Sequence, residues 1–246
     1  MTEPHFTAEK MLSMLGVQPS SLGTIALIPG PRERAENIRK ALEHPAKTLS
    51  FLDYEMHTGT IGDTQVTVGN GGRYSADTAI TTDLLCAAGV ASLVRVGTCG
   101  SLQKNISIGD IVIATGAIRG DGASPYYVSK DFSTRAHPRV VEALSQAADS
   151  LGVTVHTGPV FTTDALFRET PELLEDLEHQ NTAAIDMVTS TFLTVAQVRG
   201  RRAGAILAVS DETLTGKMGF RDPKFLRAEE KIVEVALKSI DWLRGG

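Results

Sequence analysis

Short apolar runs alternate with amphipathic stretches along this chain, and that alternation limits its fold more than any other feature does. Residues 25–28, 65–68, 92–96, 111–114, 153–160 and 203–209 read as strands, several of them apolar on both faces. Between them, residues 33–43, 76–88, 138–150, 172–178, 187–199 and 224–244 carry apolar positions at spacings of three and four, the mark of helices with one buried face. The last of these ends at Gly245-Gly246. Strand followed by helix, repeated, predicts an α/β fold: a mainly parallel or mixed sheet covered by helices, with ligands in the loops at the carboxyl ends of the strands. With 246 residues and no repeat or linker, a single domain over residues 1–246 is expected.

Charge narrows the range of ligands. The formal net charge is −5 and the basic residues are scattered, so no general nucleic-acid surface is expected and any anion must be held locally. Cys86 and Cys99 belong to no CxxC pair or Cys/His cluster, which points to a reducing compartment without a metal site or disulfide framework. The first residues lack a basic start followed by an apolar run, and no stretch approaches a membrane span. The expected location is the cytoplasm.

Two segments carry candidate chemistry. Ile28-Pro-Gly-Pro-Arg-Glu-Arg34 is a strand end followed at once by a helix start. There, Gly30 lets backbone approach a ligand while the helix N-terminus and Arg34 offer dipole and charge to an anion. A plain strand-to-helix turn with solvated arginines is the alternative. In Val94-Arg-Val-Gly-Thr-Cys-Gly100 an arginine interrupts an otherwise buried strand. Arg95 therefore needs an anionic partner, either a carboxylate in an internal salt bridge or a bound phosphate. Gly97 and Thr98 beside it supply backbone and hydroxyl donors.

Taken together, Ile28-Pro-Gly30 with Arg34, Arg95-Val-Gly-Thr-Cys-Gly100, Gly109-Asp110-Ile-Val112 and Val209-Ser-Asp211 resemble, in order and spacing, the purine nucleoside/uridine phosphorylase family. The resemblance runs from His5 to the last helix. It implies one α/β domain around a mixed, partly barrel-like sheet flanked by helices. It also implies a homohexamer, a trimer of dimers, in which neighbouring chains complete each site. By the same resemblance, Gly30, Arg34, Arg95, Gly97 and Thr98 match the phosphate positions, and Pro4-His5 matches a pair that reaches the sugar 5′-hydroxyl of a neighbour. Cys99, Gly100 and Phe161 match positions along the base, Phe161 being otherwise an ordinary core aromatic. Met187 matches the methionine packed on ribose and base. No metal or cofactor is implied beyond inorganic phosphate as co-substrate.

The chain departs from the family pattern in three places. Where relatives read Glu-Met-Glu, with the second carboxylate accepting from two ribose hydroxyls, it has Asp186-Met187-Val188, and valine accepts no hydrogen bond. Either Asp186 or Thr189 takes over, or the sugar lacks those hydroxyls in the usual arrangement, or ribonucleoside turnover is weak; the expectation is a small preference for ribo- over 2′-deoxyribonucleosides. The usual Gly-Asp-Pro of the first loop is Gly30-Pro31-Arg32 here, and the arginine that relatives lend from a neighbour falls at Leu52, leaving Arg32 and Arg73 as candidate replacements beside glycine-rich loops, or as solvated surface. Ser210-Asp211 resembles the purine branch, in which the acid protonates base N7. The Gln-x-Arg pair of the uridine branch is replaced by Thr170-Pro-Glu172, whereas Arg119-Gly-Asp-Gly-Ala-Ser124 looks more like the uridine branch.

The expectation is thus a nucleoside phosphorylase, a pentosyltransferase that splits a nucleoside, preferably a purine one, with phosphate. Arg95 and Asp211 are its catalytic residues, and the nucleoside contacts are His5, Cys99, Gly100, Phe161, Asp186, Met187, Val188, Ser210 and Asp211. A uridine phosphorylase, a water-using nucleosidase of the same fold and a silent nucleoside-binding protein are the alternatives.

Overall fold

The computed structural model describes residues 5–244; Pro4 and the Gly245-Gly246 stop lie outside the described residues. The strands are β1 (Ile25–Pro29), β2 (Glu43–Phe51), β3 (Tyr54–Ile61), β4 (Thr64–Gly69), β5 (Ser92–Ser101) and β6 (Ile111–Gly120). They continue with β7 (Thr134–Arg135), β8 (His156–Thr163), β9 (Ala184–Asp186), β10 (Arg202–Glu212) and β11 (Lys217–Met218). The helices are α1 (Ala8–Met14), α2 (Arg32–Arg39), α3 (Ser75–Ala87), α4 (Pro138–Ser150), α5 (Pro171–His179), α6 (Thr189–Val198) and α7 (Pro223–Leu243).

The sheet runs β11-β10-β6-β8-β9-β5-β1-β4-β3-β2, and β10 also pairs with β5. That extra pairing closes β10, β6, β8, β9 and β5 into a five-stranded mixed barrel, from which β1, β4, β3 and β2 extend as an open wing. β1, β4, β5 and β10 are mutually parallel, so their carboxyl ends emerge on one side. One α/β domain results, as the alternation predicts.

Local sequence explains the main elements. In α7, Phe225, Ala228, Ile232, Val235, Ala236, Ile240 and Leu243 recur on one face and are all buried. Pro223 occupies its first turn and Asp222 caps it, accepting from Lys224 N at 2.8 Å. α4 presents Val140, Leu144 and Ala147 to the same core cluster as α7. Each buried Val, Leu, Ile or Phe among them contributes about 1.5–3 kcal/mol relative to exposure, and each alanine less. Close approach of α4 to the barrel requires Gly204, since a Cβ there would stand 2.6 Å from Val140 Cγ1.

Several elements differ from the sequence pattern; the strand expected over 153–160, for one, runs His156–Thr163. The helix expected over 33–43 stops at Arg39, and the chain re-enters the sheet as β2, an edge strand that is largely exposed and contains Pro45. Neither β2 nor its partner β3 is visible as an apolar run. The helix expected from 187 begins at Thr189, because Asp186 ends β9 and turns its carboxylate onto the first free amides, those of Val188 and Thr189, at 3.1 Å. Among the described residues no helix is long and apolar enough to cross a membrane, and no cluster of His, Cys, Asp and Glu could hold a metal ion.

Candidate active site

Residues that are far apart in sequence line one cleft of about 210 Å³ at the carboxyl ends of β1, β4 and β5: Gly30, Arg34, Arg73, Arg95, Gly97 and Thr98, together with Pro31, Gly72 and Tyr74. Register explains the convergence. Ile28 lies opposite Arg95 and Pro29 opposite Val96 in the β1–β5 pairing, so the first loop opens over the arginine. The glycine run after β4 is held rigidly, because Thr81 Oγ1 donates to the Gly71 carbonyl at 2.8 Å and Gly71 adopts φ +122°.

Arg95 is only 4% exposed. Its Nε and Nη2 donate to Asp186 Oδ2 at 3.3 and 3.1 Å, and Nη1 donates to the Gly72 carbonyl at 2.6 Å. Three of five N–H groups are thereby used, which leaves two for an anion. Gly97 makes room for this arrangement, since a Cβ there would stand 2.7 Å from the guanidinium carbon. Burial pulls the Arg95 pKa down, opposed by the Asp186 charge. Arg34, also buried, donates Nη1 to the Val96 carbonyl at 3.1 Å and Nη2 to Glu229 of α7. The internal salt bridge that a buried Arg95 calls for is thus made with Asp186, and Arg95 also lines the cleft.

Asp186 has no capacity left for a sugar. Its oxygens accept from Arg95, from Thr162 Oγ1 at 2.8 Å, from Thr189 Oγ1 at 2.7 Å and from the amides of Val188 and Thr189. Thr189 is spent on the same bond. Val188 is 1% exposed in an apolar cluster with Leu85, Phe192 and Leu193, so position 188 is a core position, and a glutamate there would bury an unpaired charge. Met187 is half-buried beside that cluster, its carbonyl 3.3 Å from Ser75 Oγ.

The base candidates are not among the residues lining that cleft; register places them in one layer of the barrel, with Phe161 opposite Ile185, Ile185 opposite Gly100, and Gly100 opposite Asp211. A bulge between Val209 and Asp211 redirects the strand there. Ser210 Oγ lies 2.7 Å from Asp211 Oδ1 and 3.2 Å from the Cys99 carbonyl, and Thr213 Oγ1 donates to Asp211 Oδ2 at 3.1 Å. A side chain at Gly100 would collide with that carboxylate. Cys99 is buried, its thiol pushed well above the ordinary range by burial, and Phe161 packs with Leu102, Leu177 and Ile185. His5 is exposed, with its carbonyl accepting from Lys10 Nζ at 2.9 Å.

Two partners escape sequence reasoning. Glu229 reaches Arg34 across 195 residues, a pairing that no local pattern announces. Half-buried Glu169, between β8 and α5, is pushed up to about 7 by burial and by the Asp211 charge. Its folded-state value lies above the ordinary 4.5, so the native state keeps a proton that the unfolded chain loses. That contribution is complete below pH 4.5 and is lost as pH rises to about 7. Glu169→Gln is accordingly expected to flatten the fall of Tm across this window in thermal melts; an unchanged slope would mean that the group titrates normally.

Thr170 and Arg119 serve local structure. Thr170 Oγ1 caps α5 by accepting from Leu173 N at 3.4 Å, and Arg119 Nη2 donates to the carbonyls of Ser129 and Lys130 at 2.6 and 2.8 Å.

Comparison with known proteins adds the family. The family model described as Phosphorylase superfamily matches residues 24–240. A uridine phosphorylase of Thermococcus kodakarensis is 30% identical over 226 residues, spanning 87% of this chain and 82% of the relative. A guanosine phosphorylase of Halorubrum lacusprofundi is also 30% identical, over 81% of this chain and 83% of its own. Among solved structures, a purine nucleoside phosphorylase from Toxoplasma gondii in complex with immucillin-H superposes with TM-score 0.85 at 26% identity, over 93% of this chain and 94% of that one. A uridine phosphorylase from Vibrio fischeri shares the fold with TM-score 0.83 at 21% identity, over 94% and 99% of the two chains.

Proposed function

The chain belongs to the phosphorylase superfamily, a pentosyltransferase of the nucleoside phosphorylase kind, and on that premise we propose that it cleaves a purine nucleoside with inorganic phosphate. One observation carries this reading: Gly30, Arg34, Arg95, Gly97 and Thr98, drawn from two separate loops, line one cleft in which two buried arginines are fixed by carboxylates and still have N–H groups to offer. Phosphate seated there attacks the anomeric carbon as the bond to the base nitrogen breaks, with inversion. Its charge stabilises the positive sugar ring of the transition state. The bonding electrons pass to the base, and Asp211, held by Ser210 and Thr213, takes up a proton from solvent before the bond breaks and passes it to N7 as the base leaves, returning to the carboxylate. Cys99, Gly100 and Phe161 flank the base, and Met187 the sugar. His5 is proposed to serve a neighbouring chain's site in a homo-oligomer.

A second reading is uridine phosphorolysis, favoured by the names of several relatives, Thermococcus kodakarensis and Escherichia coli among them. The two readings separate in a panel of inosine, guanosine, adenosine, uridine and their 2′-deoxy counterparts assayed with phosphate. The purine reading expects the highest kcat/KM on a purine nucleoside. With Asp186 engaged and Val188 buried, it also expects little preference for ribo over deoxy substrates. Turnover confined to uridine would overturn the purine assignment and leave phosphorolysis standing.

A further inference from the structure

We propose that Arg73 is the third cation of the phosphate site, leaving its resting partners for the anion when phosphate enters. The inference rests on the phosphate reading of the cleft and adds a residue to it.

The charge balance of the cleft calls for one more cation. Arg95 faces Asp186 and Arg34 faces Glu229, so each deep arginine already has a carboxylate and the two pairs together are close to neutral. A multiply charged anion entering such a cleft needs additional positive charge to offset its desolvation. Among the residues lining the cleft, Arg73 is the remaining cation. Its stem lies over the first loop, with Cγ 3.4 Å from where a Cβ on Gly30 would stand. It follows the rigid Gly71-Gly72 turn directly, so its backbone is fixed at the rim.

The way Arg73 is held favours release. Its two ion pairs are long, 3.5 Å from Nε to Asp77 and 3.7 Å from Nη2 to Asp53, and its side chain is 39% exposed, so neither pair is worth much. Each carboxylate also has a closer partner. Tyr54 Oη donates to Asp77 Oδ1 at 2.6 Å, and Arg32 Nη2 donates to Asp53 Oδ1 at 2.5 Å. When Arg73 swings away, Asp53 keeps its ion pair with Arg32, and Asp77 keeps the Tyr54 hydrogen bond and its place in the first turn of α3, where the helix dipole favours a carboxylate.

Arg32 does not fit the role. It lines a different cleft, between α2 and β3, with Glu36, Arg39, Glu55 and His57, and it is bound to both the side chain and the carbonyl of Asp53. Leu52, beside Asp53 in the turn between β2 and β3, is exposed and carries no charge. The charge at the rim therefore comes from Arg73 of the same chain.

The test is calorimetric titration with inorganic phosphate, alongside steady-state kinetics, on the wild-type protein and on Arg73→Ala, Arg73→Lys and Arg32→Ala. Arg73→Ala is expected to weaken phosphate binding about 10- to 100-fold, the loss of one charge-assisted contact, while KM for the nucleoside stays within about twofold. Arg73→Lys should recover part of the loss through charge alone, and Arg32→Ala should change phosphate affinity by less than about threefold. Wild-type phosphate affinity in a folded Arg73→Ala protein overturns the assignment, as does an equal loss in Arg32→Ala. If the wild-type protein binds no phosphate, the cleft itself has been misread and Arg73 falls with it; if it binds phosphate and Arg73→Ala binds equally well, only the role of Arg73 fails.

Discussion

Arg95→Ala is expected to remove both turnover and a large share of stability. The guanidinium is buried and makes three hydrogen bonds, two of them to a carboxylate that is itself buried. Breaking such a pair by deleting one partner costs about 3–5 kcal/mol, because the other charge stays inside unpaired. Here Asp186 keeps its bonds from Thr162, Thr189 and the start of α6, which places the loss at the lower end. For a chain of this size each kcal/mol lowers Tm by about 2–4 °C, so a fall on the order of 6–12 °C is expected. kcat/KM for phosphate should drop by about 10²–10³-fold or more, the usual consequence of losing one preorganised donor. Arg95→Lys should restore little, since an ammonium cannot meet Asp186 and the Gly72 carbonyl in the same fork. Thermal melts and initial rates at varied phosphate decide the matter. A variant with native Tm and native phosphate KM would mean that Arg95 is ornamental.

Asp211→Asn is expected to act on kcat alone. An amide at this position can still bond Ser210 and Thr213, so Tm and phosphate affinity should hold near wild-type values. What it cannot do is give a proton to the leaving base, and general acid help of this kind is worth about 10²–10⁴-fold. The loss should be largest for purine nucleosides whose bases leave poorly without protonation at N7. A loss below about threefold would contradict the assignment and shift attention to Glu169, the other carboxyl at this end of the site.

The contrast between these residues shows what a sequence can disclose. α7, α4 and β10 are legible because each repeats one apolar pattern over many residues, and the loops at Gly30 and Arg95 are legible because glycine and arginine interrupt apolar runs. β2 is not legible, because an exposed edge strand needs no apolar face. The start of α6 is misplaced by periodicity because a single side chain, Asp186, decides where the helix begins. The partners of Arg95 and Arg34 lie 91 and 195 residues away, a separation that only the closed barrel and the packing of α7 against α2 resolve. Val188 reads as a lost ligand in sequence and as ordinary core in the fold, since helix and strand packing surround it on all sides.

Product identity tests the central claim most directly. Purified protein incubated with inosine or uridine in phosphate buffer, followed by ³¹P NMR and by chromatography of the base, is expected to convert phosphate to a pentose 1-phosphate in step with base release. Base release should stop when phosphate is withheld. Release at the same rate in phosphate-free buffer, with free pentose as the only sugar product, would contradict the account and make the protein a hydrolase built on this fold.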